Sequence, residues 1–360
     1  MSAADDKSNP AENNDAPPPY VPGATARKRR ARYSGKNPRR FEDKYKEHNP
    51  ERYAETVAKV LASGKTPAGT HRPIMVSEIL EVLAPKPGEV AVDCTLGYGG
   101  HAQELLARIQ PSGKLIGLDA DPLELPKTEA RLRALGFGPE TFTAVRSNFA
   151  GLPQVLAKME LRADCILADL GVSSMQLDNP ARGFSVKLDG PLDMRMNPER
   201  GFPASALLRK IFPNALAELL LENADEPHAT ELSRILAGRE FTNTRELADA
   251  VRQALPRMAR DEQELSIRRV FQALRIAVND EFSALDTLLR HLPSCLNPGG
   301  RVAILTFHSG EDRRVKKAFA AGRREGHYAD IARDVIRPTA EERRDNPRSS
   351  PAKLRWAVKA

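Results

Sequence analysis

The chain is short of cysteine and of aromatic residues, and it contains no long apolar run. Its 360 residues include 3 cysteines, 1 tryptophan and only 5% aromatics. Cys94, Cys165 and Cys295 lie far apart. They cannot all pair with one another, and no CxxC spacing points to a metal or a redox dithiol. Cys94 and Cys165 sit in apolar stretches where a small hydrophobe fits, so buried thiols in a reducing cytoplasm are expected. No apolar run approaches the ~20 residues that a membrane helix needs, so no membrane partner is expected. Asp5 and Asp6 stand near the N-terminus without an apolar stretch, which argues against a secretory signal or an Arg-rich transit peptide.

What is present is the make-up of a soluble protein, with 41% hydrophobic and 29% charged residues. The length suffices for one large domain or two smaller ones with a genuine core. The net charge of +7 is unevenly placed. Residues 1–26 are rich in Pro, Asn, Ala and Asp, a composition expected to be disordered. Ten basic residues then crowd between Arg27 and Lys46, interleaved with Tyr33, Phe41 and Tyr45. Such a mixture suits phosphate contacts and base stacking, although a solvated tail would look the same. The remainder is close to neutral, so bulk charge carries no argument for nucleic acid.

Order is expected from about His71. Ile79, Leu80, Val82 and Leu83 suggest a short helix stopped at Pro85, and Pro87-Gly88 makes a turn. Glu89–Asp93 reads as a buried strand running into Leu96-Gly97-Tyr98-Gly99-Gly100-His101-Ala102, with a helix through Gln103–Ile109 and a second strand at Lys114–Asp119. Glycines lacking Cβ let the backbone approach a ligand closely, and an acid ending the second strand can accept bonds from ribose hydroxyls. Gly97, Gly99 and Ala102 fit G-x-G-x-x-A, with Asp119 17 residues further on. In this strand–helix–strand context the pattern points to an adenosine-type cofactor, leaving a nicotinamide dinucleotide and S-adenosylmethionine both open.

Phe142–Val145 is a third strand, followed by Ser147-Asn148-Phe149, and Cys165–Asp169 a fourth that ends in an acid. Ligands of open α/β sheets lie beyond the carboxyl ends of the strands. Gly97–His101, Asp119, Phe149 and Asp169 are therefore expected to converge on one crevice. From 178 to 265 strand-like alternation gives way to helical spacing at Leu216–Leu221, Glu231–Ala237 and Glu246–Leu255. One longer helix is expected next, with Phe271, Leu274, Val278, Phe282, Leu285, Leu289 and Leu292 on a single core stripe. Gly299-Gly300 turns the chain into a strand at Val302–Phe307. Leu354, Trp356 and Val358 alternate with Arg355, Ala357 and Lys359 as a half-buried last strand would.

Several stretches together resemble the RsmH (MraW) family of ribosomal RNA cytidine N4-methyltransferases. They are Asp93-x-Thr95-x-Gly97-x-Gly99-Gly100-His101, Asp169-Leu170-Gly171-Val172-Ser173-Ser174-Met175-Gln176-Leu177-Asp178, Arg182-Gly183-Phe184-Ser185 and Gly190-Pro191-Leu192-Asp193-Met194-Arg195-Met196. Phe271-Gln272-Ala273-Leu274-Arg275, Phe307-His308-Ser309-x-Glu311-Asp312-Arg313 and Asn346-Pro347-Arg348 extend the match to the C-terminus. The resemblance implies an α/β fold, a class I S-adenosylmethionine methyltransferase with a Rossmann-like sheet and an inserted helical domain. On that reading residues 71–177 and 266–360 build the methyltransferase domain, 178–265 a substrate-recognition insert, and 1–70 a basic extension. It implies S-adenosyl-L-methionine as cofactor, with Gly99, Gly100 and His101 around its methionine part, Asp119 on its ribose, Phe149 near the adenine, and Asp169 and Gln176 completing the pocket.

The implied reaction is N4-methylation of a cytidine in 16S rRNA of the small ribosomal subunit, near the decoding centre, with the cytoplasm as its setting. The cytosine amine is a poor nucleophile, and Asp169, or a carbonyl within Leu170–Ser174, is the candidate to accept its proton. Arg182, Asp193 and Arg195 are expected to order a loop that meets RNA or closes the pocket; an Arg195–Asp193 pair serving only packing is the alternative. His308 is expected to face the same crevice, binding a phosphate, orienting the base or completing a hydrogen-bond network. The chain departs from the family pattern at Gly310, where a leucine is usual, and at Leu265–Val270, which replaces a His-Pro-Ala-Thr-Arg-Thr run. A non-catalytic ribosome-assembly factor that keeps the fold is the rival reading, and the sequence leaves a homo-oligomer open. A DNA amino-methyltransferase would carry Asp/Asn-Pro-Pro-Tyr/Phe where Asp169-Leu170-Gly171-Val172 stands, and nothing here resembles the hydride site of a dehydrogenase.

Overall fold

The computed structural model describes residues 73–360; the expectations for residues 1–70, including the basic arm, and for His71 lie outside the described residues. Strand and helix alternate through α1 (Val76–Leu83), β1 (Val90–Asp93), α2 (Gly100–Ile109), β2 (Lys114–Asp119), α3 (Leu125–Ala134), β3 (Phe142–Arg146), α4 (Leu152–Lys158) and β4 (Ala163–Asp169). A short α5 (Ser174–Asp178) leads to α6 (Ala204–Lys210), α7 (Pro213–Ala224), α8 (Ala229–Leu236), α9 (Thr244–Ala254) and α10 (Arg260–Asn279). The chain ends with α11 (Glu281–Cys295), β5 (Leu296–Thr306), α12 (Ser309–Arg324), β6 (Tyr328–Ile331), α13 (Ala340–Asp345) and β7 (Lys353–Lys359).

The strands form one seven-stranded sheet in the order β3-β2-β1-β4-β5-β7-β6. Strands β1 to β5 pair in parallel, and β7 runs antiparallel to both β5 and β6. Both faces are covered, which is why these strands read as continuous apolar runs. Alternate residues serve opposite layers. Ala91, Leu115, Cys165, Leu167, Ala303 and Leu305 pack with α1, α2 and α3. Val92, Ile116, Ile166, Ala168, Val302 and Ile304 pack with α4, α11 and α12. All three cysteines are free and buried.

A third apolar cluster lies outside the sheet and is built by Leu192, Leu208, Leu216, Leu232, Leu247, Val251, Ile267 and Leu274. Helix α10 runs straight across the 265/266 boundary expected from the sequence and contributes Ile267, Val270, Phe271 and Leu274 to this cluster.

Two expectations need correction. The single long helix is two, because Asp280 adopts φ 50° and both caps α10 and starts α11. Short polar side chains tolerate this left-handed conformation better than others. The expected stripe is accordingly divided, with Phe271 and Leu274 in the helical cluster and Leu285, Leu289 and Leu292 under the sheet. Nor does β7 keep the alternation expected of it: it lies between β5 and β6, and Arg355 is buried beside Leu354 and Ala357 while Trp356 and Val358 are only partly buried. Arg355 tolerates burial because its Nε donates to Asp312 Oδ1 at 2.6 Å.

Candidate active site

The strand order reverses between β1 and β4, since β1 continues to β2 on one side and β4 to β5 on the other. A crevice opens beyond the carboxyl ends of strands at such a point. Thr95 ties the two tips together. Its N–H donates to Asp93 Oδ1 at 3.0 Å, and its Oγ1 accepts from the Asp169 N–H at 2.7 Å.

The glycine loop follows. Gly97 and Gly99 sit at φ 48° and 81°, and a Cβ on Gly99 would meet the Thr128 methyl at 2.9 Å. The Gly97 N–H donates to Asp119 Oδ2 and the Asp121 N–H to Asp119 Oδ1, each at 2.8 Å. These bonds fix the carboxylate plane while leaving lone pairs directed into the crevice. Burial raises the Asp119 carboxyl to about 6 despite the two donors. His101, the second residue of α2, points its Nε2 at Ile74 O (2.9 Å) and its Nδ1 at Asp169 Oδ2 (3.6 Å).

Asp121, fully buried behind this loop, gathers a second set of contacts. Its Oδ2 accepts from Gln176 Nε2 at 2.9 Å and from Arg182 Nη1 at 2.7 Å. Gln176 is also the N3 partner of a capping box with Ser173, the use that the Ser-x-x-Gln spacing suits. Arg182 is itself buried, and its Nη2 donates to the carbonyls of Arg195 and Met196. The tight bend at Gly183 admits no side chain, since a Cβ there would fall on Pro191 O.

A cavity of about 910 Å³ joins these parts. Its lining includes Gly97–His101, Asp119, Asp121, Glu124, Ser147–Phe149, Asp169–Ser174 and Gln176. It also includes Lys187, Met196, Arg268, Arg275, Asn279, Glu281, Phe282, Phe307, Glu311 and Arg348. Gly99, Gly100, His101, Asp119, Phe149 and Asp169 thus line one cavity, as their strand-end positions suggested, and Gln176, expected from the resemblance, lines it too. Asp169 is among the lining residues, with its side chain 27% exposed. Its carboxyl is raised to about 7, chiefly by burial and further by the negative charge of Glu311.

Other expectations fare differently. Arg182 is a buried tie. Arg195 grips Asp193 through Nε and Nη2 at 2.8 and 2.7 Å. Burial pushes the Asp193 carboxyl up, but these bonds outweigh it and hold it below its ordinary range. His308 does not line the cavity. Its ring lies 5.7 Å from that of Phe282 and its Nε2 is 3.2 Å from Glu311 Oε1. One helical turn on, Glu311 faces the cavity instead and accepts the Phe307 N–H at 2.8 Å. Sequence reasoning assigned no site role to Glu311, Arg275, Asn279 or Glu281. Arg275 and Glu311 stood within motifs already noted, while Asn279 and Glu281 carried no signal.

A family model described as the MraW methylase family matches residues 68–360. The chain belongs to that family. "Ribosomal RNA small subunit methyltransferase H 1" of Lachnoclostridium phytofermentans is 50% identical over 342 residues, covering 92% of this chain and 93% of its own length. "Ribosomal RNA small subunit methyltransferase H 2" of Alkaliphilus metalliredigens is 50% identical over 343 residues, covering 93% and 98%. An rRNA methylase structure from Streptococcus thermophilus superposes distantly, with TM-score 0.37 and 12% identity over 79% of this chain and 93% of its own.

The methylase family's cofactor is S-adenosylmethionine, and the residues present fit it. The loop at Gly97–Gly100 leaves the backbone bare for a close approach. Glu124 adds an acceptor in the same wall, because its buried Oε2 has no hydrogen-bond partner among the described residues. Acids at 119, 124 and 169 suit a ligand that carries a sulfonium cation and ribose hydroxyls.

Proposed function

We propose that the protein transfers a methyl group from S-adenosylmethionine to the exocyclic N4 of a cytidine in 16S rRNA of the small ribosomal subunit, near the decoding centre, in the cytoplasm. The observation that carries the chemistry is Asp169. It lines the cavity 3.6 Å from His101 Nδ1, with a carboxyl raised to about 7. S-adenosylmethionine, when bound, supplies an electrophilic methyl on sulfur.

The protein's residues have two tasks. The glycine loop and Asp119 hold the donor in line with the incoming amine. Asp169 accepts an N4 proton as the N–C bond forms, which the amine needs because its lone pair is delocalised into the ring. The cavity also suits a base taken out of its stack, with Phe282 and Phe307 among its apolar lining residues. Support for an RNA substrate comes from the relatives' names and from the helical insert. Phe202 and Phe212, at 69% and 79% exposure, flank α6, and Lys210 Nζ lies 4.7 Å from the Phe202 ring. Exposed aromatics beside cations are suited to stacking on unpaired bases. Arg182, Asp193 and Arg195 then act by holding the loop between the insert and Asp121.

The test is transfer of labelled methyl to small ribosomal subunits from cells lacking this gene, with mass-spectrometric nucleoside analysis. The expected product is N4-methylcytidine. Asp169→Asn should lower kcat roughly a hundredfold or more while changing S-adenosylmethionine affinity far less. Cofactor binding without any transfer to subunits would instead mark an assembly factor that keeps the fold.

A further inference from the structure

The cavity wall is electrically divided. Asp119, Glu124, Asp169 and Glu311 give its interior a negative character, which favours a sulfonium and repels a phosphodiester. Of the four Lys and Arg side chains that line the cavity among the described residues, two are already committed. Arg275 donates through Nε and Nη2 to Glu281, both at 2.8 Å, and Arg348 Nη2 reaches Asp178 at 2.6 Å. Lys187 and Arg268 also line the cavity, are exposed, and have no carboxylate partner among the described residues.

Their backbones are nevertheless fixed. Lys187 sits in a turn whose N–H groups at 187 and 188 both donate to Ser185 Oγ, and the Leu188 carbonyl accepts from Thr244 Oγ1. Arg268 follows buried Ile267 on α10, so its own side lies away from the helical core. Two exposed cations from separate elements line the same acidic cavity, which suits an anion that stays outside while its attached group goes in.

We propose that Lys187 and Arg268 clamp a phosphate of the substrate strand beside the target nucleotide, fixing the strand with base inward and backbone outward. The proposal rests on the RNA-methylation reading of the same cavity and adds how the strand is held. Arg268 falls in the Leu265–Val270 segment, where the chain departs from the His-Pro-Ala-Thr-Arg-Thr run. The interior acids sharpen the orientation, because a phosphate pushed past the clamp meets like charge.

The experiment compares the full-length protein with its Lys187→Gln, Arg268→Gln and double variants, using unmodified small ribosomal subunits as the probe. Each single change should raise KM for subunits about tenfold, the scale of one charge-assisted hydrogen bond. Each should also reduce the slope of log affinity against log salt by about 0.7. S-adenosylmethionine affinity, melting temperature and kcat at saturating subunits should hold. Arg324→Gln, a cation at the end of α12 away from the cavity wall, serves as the control for bulk charge. An unchanged salt slope in the double variant, or the same loss in Arg324→Gln, would overturn the clamp. Failure of the wild type to methylate subunits would instead overturn the functional reading beneath it.

Discussion

At the residue scale the site turns on one proton. The Ile74 carbonyl can only accept, so His101 Nε2 must be the donor in the 2.9 Å contact between them. In the neutral ring Nδ1 then presents a bare lone pair to Asp169 Oδ2. Burial lowers the His101 pKa, with Asp93 opposing, so the ring is neutral near pH 7. Asp169, raised to about 7, is protonated below that value and cannot take a proton from the amine. Methylation should therefore rise with pH between roughly 6 and 8 and level off as Asp169 ionises. Glu311→Gln removes a negative neighbour, which stabilises ionised Asp169 and moves this limb to lower pH. The profile of kcat/KM for subunits, wild type against variant, checks both statements; an unmoved limb would mean that Glu311 does not act on Asp169.

At the scale of elements, what the sequence made legible follows from burial. Strands β1 to β4 and their terminal acids could be read because strands covered on both faces are unbroken apolar runs bounded by glycine and proline. The site residues that could be read are those fixed by strand ends and by the glycine loop. The break at Asp280 could not be read, because apolar spacing continues across it and a single left-handed residue leaves no gap in the pattern. Choosing between His308 and Glu311 required the rotation of α12 about its axis, which spacing does not supply. Strand β6 (Tyr328–Ile331) escaped notice because only Tyr328 in it is fully buried.

The helix break also explains Gly310. A Cβ at 310 would stand 2.6 Å from Phe282 Cζ, so glycine here and phenylalanine at the start of α11 are complementary. Gly310→Leu, which restores the usual family residue, should destabilise the fold by about 1–3 kcal/mol through overpacking. Adding Phe282→Ala should recover part of that loss. Thermal or denaturant unfolding of the two single variants and the double variant provides the cycle, and additive losses would mean that the two sites do not meet.

For the molecule as a whole, the question is how the helical cluster is held against the sheet so that both contribute to one cavity. Among the described residues, polar contacts brace this join and the loop beside it. Asp121 receives Arg182 in a buried pair. Asn279 joins α10 to the loop, its Nδ2 donating to Met194 O and its Oδ1 accepting from the Met196 N–H. Asp225, closing α7, accepts from Ser309 Oγ and from both Nη atoms of Arg313. The first and third differ in burial, so they should differ in consequence. Arg182→Met leaves the Asp121 charge enclosed with fewer donors, a change that costs about 3 kcal/mol. Because the Asp121 N–H also holds Asp119, cofactor affinity should fall with stability. Asp225→Ala breaks a tie whose two side chains are about half exposed and should cost no more than about 1 kcal/mol, with cofactor affinity intact. Paired measurements of unfolding free energy and S-adenosylmethionine binding separate these outcomes. Equal effects from the two variants would mean that the attachment is spread over the apolar contacts, and that Asp121 is not the pivot through which the insert senses the cofactor loop.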